Sequence, residues 1–106
     1  MKFARWGVIA LAAAVMADAS AAGDADAGRV KANTCMGCHG IPLYNNAYPT
    51  YRVPKIGGMQ AEYIEAALKA YRSGERPHQT MHSQAATLSD ADIADIAAFI
   101  ANAPKN

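Results

Sequence analysis

Strong metal-binding side chains are scarce in this chain of 106 residues, which has two cysteines and three histidines. A zinc centre needs four ligands, usually from paired Cys or Cys/His motifs, and beyond the Cys35–His39 segment only His78 and His82 remain. A disulfide between two such close cysteines would close a tiny loop and constrain little of the chain. Charge of one sign is lacking too. Ten basic and nine acidic residues leave no basic field that would argue for nucleic acid. Beyond the N-terminus no apolar stretch is long enough to span a bilayer. No segment alternates apolar and polar residues with a period of two, which excludes a sheet and with it the βαβ setting of a thioredoxin-like Cys pair. There is no internal repeat.

What is present begins at the N-terminus. Lys2 and Arg5 precede an apolar run, Trp6 to Met16, and small residues follow with A-x-A arrangements at Ala17–Ala19 and Ala19–Ala21. This is the pattern of a secretory signal peptide over residues 1–22, cleaved near Ala21 or Ala22. An uncleaved anchor is the competing reading, and the run is short for one. Cleavage leaves one small domain, residues 23–106. Loss of residues 1–21 removes Lys2, Arg5 and Asp18, leaving eight basic and eight acidic side chains.

Both cysteines lie in Cys35-Met36-Gly37-Cys38-His39, a C-x-x-C-H sequence. Its spacing suits covalent attachment of a c-type haem. Two thiols three positions apart can add to the two vinyl groups of one haem, and the next residue offers an imidazole to the iron. Such attachment takes place outside the bacterial cytoplasm, so the export signal and the motif support one another. One haem c is expected, with Cys35 and Cys38 as thioether anchors and His39 as the proximal iron ligand.

Three helices are predicted, making the domain all-α. The first runs from about Asp26 to Thr34, with Asp24 and Asp26 complementing its dipole. The second spans about Met59 to Ser73. Tyr63, Ile64, Ala67, Leu68 and Tyr71 recur on its apolar face, Glu65 and Lys69 form an i,i+4 pair, and Gly74 is the C-cap. The third runs from Ser89 to about Asn102. Ser89 and Asp92 open it as a capping box, Ile93, Ile96, Ala97 and Ile100 form its core stripe, and Phe99 lies on the shoulder. Residues 40–58, with three prolines, read as an irregular stretch wrapping the haem edge. Residues 75–88 read as a second loop.

That second loop holds Met81 between His78 and His82. The second axial ligand sets what the protein exchanges electrons with, since Met/His ligation raises the potential relative to bis-His. Met81, Met59, His78 and His82 are the candidates. Met81 lies in a polar loop where packing explains it least. Met59 reads equally as a core gap-filler. Met36, tied between the anchoring cysteines, cannot reach the opposite haem face.

The order of short helix, C-x-x-C-H-G, haem-edge loop, middle helix, methionine loop and closing helix resembles the class I cytochromes c. It resembles in particular their small bacterial monohaem branch and single domains of dihaem relatives. The segments Leu88–Phe99 and Tyr71–Arg76 carry much of the likeness. The resemblance implies a small class I fold of three to four helices around one covalent haem, with the distal methionine at Met81. It also implies a close approach of Gly28 to Phe99. The chain departs from the family's pattern in having Met59 where a glutamine is usual, and in Ile41–Asn46, Tyr48 and Tyr51 where glycine is commoner.

The function implied is periplasmic electron transfer, one haem cycling between Fe(III) and Fe(II). Its partners would be redox proteins of the periplasm or inner membrane, met as a monomer or in transient complexes. Arg52, Lys55, Arg72 and Arg76 could form a local basic patch. The rival readings are a haem-bearing subunit of a larger oxidoreductase and a small-ligand-binding or sensor module.

Overall fold

The structure, a computed structural model, describes residues 23–40 and 53–105. It contains five helices: α1 (Ala25–Lys31), α2 (Asn33–His39), α3 (Ala61–Ser73), α4 (Gln79–Ala85) and α5 (Asp90–Asn102). Among the described residues there is no strand, as the missing period of two implies.

Local signals account for three of the helix ends. Asp24 caps α1, its carboxylate accepting from the Asp26 N–H at 2.9 Å and the Ala27 N–H at 3.4 Å. Ser89 opens α5 with a reciprocal capping box. Its hydroxyl accepts from Asp92 N–H at 3.1 Å, and Asp92 accepts from Ser89 N–H at 3.0 Å. Gly74 closes α3 in the left-handed conformation, φ 81°.

α5 is the hub. α1 and α3 both pack against it, and α4 packs on α3. The predicted stripe is the centre of the core: Ile93, Ile96, Ala97 and Ile100 are all buried, joined by Ala32, Met36, Ile64, Leu68 and Ala85. Full burial of each isoleucine contributes about 1.5–3 kcal/mol. Phe99 is partly buried beside this core.

Polar contacts clamp α1 to α5. Lys31 Nζ bridges Asp92 at 2.9 Å and Asp95 at 2.5 Å, and the Asp24 N–H donates to Asp95 at 2.8 Å. At the start of α5, Arg72 of α3 donates to the Leu88 carbonyl at 3.1 Å and the Asp90 carboxylate at 2.7 Å. The segment before α3 is tied to the end of α5 by Gly58 N–H donating to the Ile100 carbonyl at 2.9 Å.

Several expectations are revised. The first helix is two: α1 ends at Lys31, Ala32 is the shared cap, and the C-x-x-C-H segment forms α2. Residues 75–88 are not simply a loop, because Gln79–Ala85 form α4. Among the described residues there are five helices where three to four were expected, and the all-α class holds. α3 starts at Ala61, not Met59. Tyr63 does not join the apolar face; it is half exposed, while Ile64 and Leu68 are buried. Among the described residues, the ion pairs are those of Lys31 and Arg72, and Glu65–Lys69 is not one of them. Residues 41–52 of the haem-edge stretch, including Tyr44, Tyr48 and Tyr51, and the signal region 1–22 lie outside the described residues.

Candidate haem site

The candidate site starts on α2. In a helix, positions i, i+3 and i+4 share a face, so Cys35, Cys38 and His39 point to one side. Met36 turns to the other and is buried in the core. That buried methionine fixes the rotation of α2, and the Gly40 cap (φ 59°) ends the helix directly after His39. Cys35 and Cys38 are both half-buried free thiols. Burial pushes the Cys35 thiol above its ordinary value, against a smaller lowering by a hydrogen bond with Thr34.

His39 is oriented from across the chain. Its Nδ1 lies 2.7 Å from the carbonyl oxygen of Pro54. A carbonyl only accepts, so Nδ1 carries the proton and Nε2 presents its lone pair. This is the arrangement of a metal-binding imidazole: one nitrogen held by the protein, the other free to ligate. Pro54 was not singled out as a site residue by sequence reasoning. The only signal is its place in Pro54–Met59 ahead of α3, and nothing local says which imidazole its carbonyl meets.

The distal candidates separate as follows. Met81 is the third residue of α4, half-buried and packed against the core. The expectation that packing does not explain it is thus only partly right. Met59 is also half-buried against the core, in the turn where its N–H donates to the Ile56 carbonyl at 3.2 Å. His78 and His82 are exposed but engaged. His78 Nδ1 accepts from the Met81 N–H at 3.2 Å, capping α4, and His82 Nδ1 lies 2.8 Å from the Tyr71 carbonyl.

The proposed basic patch dissolves in part. Arg72 is held by Leu88 and Asp90, and the Arg76 guanidinium lies over the Tyr71 ring, 4.8 Å from its centroid. Arg52 lies outside the described residues.

Two thiols and an imidazole on one face of one helix, with the imidazole pre-set to offer Nε2, fit a covalently attached haem. Among the described residues no three His, Cys, Asp or Glu side chains are grouped to hold a bare metal ion. Fold and site together define an all-α cofactor-bearing domain.

Comparison with known proteins agrees. The family model described as cytochrome c matches residues 25–104. The chain is 47% identical over 81 residues to cytochrome c-554(548) of Halomonas halodenitrificans, covering 74% of this chain and 94% of that protein. It is 38% identical over 84 residues to cytochrome c4 of Pseudomonas aeruginosa, covering 79% of this chain but 40% of that protein. It is 31% identical over 78 residues to the cytochrome subunit of sulfide dehydrogenase of Chlorobaculum tepidum, covering 74% and 67%. The chain belongs to the cytochrome c family and is an electron-transfer protein carrying covalent haem c.

Proposed function

We propose that the chain is an exported single-haem electron carrier. Residues 1–22 direct export and are removed near Ala21 or Ala22, and residues 23–106 work in the periplasm. Cys35 and Cys38 form the thioethers, His39 is the proximal ligand and Met81 the distal one. The observation that carries this reading is the 2.7 Å contact from His39 Nδ1 to the Pro54 carbonyl, which leaves Nε2 as the ligating nitrogen.

Bound haem supplies a one-electron Fe(III)/Fe(II) couple. The chain's own residues do the rest. Pro54 holds the His39 ring in one tautomer. The half-buried Met81 offers a soft neutral sulfur, which favours the ferrous state more than an imidazole does. Among the described residues no helix is long and apolar enough to cross a membrane, in keeping with a carrier that meets redox partners in the periplasm or at the inner membrane. Those encounters are transient and small in area.

The test is an optical spectrum of the exported protein, ferric and ferrous, with and without carbon monoxide, beside Met81→Ala. A low-spin haem is expected, with a sulfur-to-iron charge-transfer band absent from the variant and no carbon monoxide uptake by the parent. Retention of the band in Met81→Ala transfers the role to Met59. A high-spin parent that takes up carbon monoxide sinks the carrier reading in favour of ligand binding.

The likeness to a sulfide dehydrogenase cytochrome subunit supports a second reading, a haem subunit that stays docked to a larger oxidoreductase. Elution of the native protein as a lone monomer with no co-purifying chain would count against it.

A further inference from the structure

α4, the helix that carries Met81, has seven residues. A helix of two turns gains little from propensity, so something else must hold its backbone in place. Two of its fixings come from the residues that bracket Met81. His78, three positions before, serves as the N-cap through Nδ1, 3.2 Å from the Met81 amide nitrogen. His82, the next residue, reaches the Tyr71 carbonyl at the end of α3 at 2.8 Å.

The two imidazoles have opposite polarity. An amide N–H only donates, so His78 Nδ1 is an acceptor. A carbonyl only accepts, so His82 Nδ1 is a donor. Both converge on Tyr71. The His78 ring meets the Tyr71 ring edge-on at 6.0 Å between centroids, and His82 takes the Tyr71 carbonyl. Tyr71 is itself packed against the core and covered by Arg76, whose guanidinium also donates to the Tyr63 hydroxyl at 3.4 Å. Exposed histidines would ordinarily be solvated. Here both ring nitrogens nearest the backbone are committed to protein.

We propose that His78 and His82 are positioning residues for Met81. They form a two-point clamp that fixes the methionine backbone at its own amide and at the following residue, and so determines how firmly its thioether is presented. The inference rests on the reading of Met81 as the distal ligand.

The opposed polarities make it testable in the haem-loaded full protein. The readouts are the amplitude of the sulfur-to-iron band and the affinity of the ferric protein for added imidazole. His78→Ala and His82→Ala should each weaken the band and tighten imidazole binding about five- to tenfold, the effect of losing one helix cap or comparable hydrogen bond. Asparagine can accept or donate at the position of Nδ1, so His78→Asn and His82→Asn should restore parental values. Aspartate can only accept. His78→Asp should therefore behave as the parent and His82→Asp as the alanine variant.

Parental band and imidazole affinity in both alanine variants overturns the clamp. So does an aspartate that rescues both positions equally, since that reports bulk rather than hydrogen bonding. Should an alanine variant fail to accumulate with haem, the two aspartate variants decide by the same criterion. Met81→Ala separates the two readings. Loss of its band, with unaffected histidine variants, overturns the clamp alone, whereas retention of its band overturns the distal assignment and the clamp with it.

Discussion

At Gly28 the backbone of α1 lies directly against α5. A Cβ there would run into the Asp95 carbonyl group, with its carbon at 2.5 Å and the Phe99 Cβ at 2.9 Å. Backbone cannot yield as a flexible side-chain end does, so the helices would have to part. Gly28→Ala is expected to destabilise the protein by about 1–3 kcal/mol, read as a lower denaturant midpoint at unchanged slope. A parental midpoint would mean that the α1–α5 contact is soft. His39 is a second residue whose role is set by one contact. The Pro54 carbonyl decides which of its nitrogens carries the proton.

The element-scale question is what holds α1, seven residues long, against α5. Beyond the close approach at Gly28, the answer is charge. The Asp92 carboxyl is pulled down to about 2, first by the Ser89 backbone N–H in the capping box and then by the Lys31 ammonium. Asp95 is lowered by Lys31 and by the Asp24 N–H, and Lys31 is raised by both carboxylates. The carboxylates have folded values below their unfolded value of 3.8. Their contribution is therefore complete above that pH and is lost as pH falls through the lowered values, about 2 for Asp92. Lys31 contributes fully below its ordinary 10.5 and loses its contribution only as pH rises through the raised value. The clamp is thus intact across neutral pH. The thermal midpoint should fall between about pH 4 and 2, and fall less steeply in Lys31→Met. Identical acid limbs in parent and variant would assign the acid sensitivity elsewhere. The groups are solvent-accessible, so added salt should reduce the difference.

At the scale of the molecule, the described core is small. Nine side chains are buried and three of them are alanines, Ala32, Ala85 and Ala97. Domains of this size rarely stand on such a core without a covalent or metal staple. A covalently attached haem would add apolar surface to this core. Cys35→Ala combined with Cys38→Ala should abolish covalent haem and leave a chain with reduced far-UV helicity and a broad, low thermal transition. Parental helicity and a sharp transition in that double variant would show that the helices need no cofactor to pack.

The covalent haem c was legible because the C-x-x-C-H signature is local: the spacing of two thiols and an imidazole lies within five residues. The capping box at Ser89, the C-cap at Gly74 and the isoleucine stripe of α5 were legible for the same reason, since backbone sterics and helical period act over a few residues. α4 was missed because its seven residues carry no apolar periodicity and its cap is a histidine, outside the residue types that usually mark a helix start. Tyr63 was misplaced because helical period defines a stripe but not its width, and only the packing of α5 against Ile64 and Leu68 decides which edge of α3 faces water. The sequence by itself determined the cofactor class and the helical class, because a five-residue signature and the helical period are both local. The tertiary structure alone decided that Pro54 orients His39, that Lys31 joins α1 to α5, and that Tyr71 anchors both histidines beside Met81. Each of these is a contact between residues 11 or more positions apart, except the His78–Tyr71 ring pair, and no local propensity encodes such a distance.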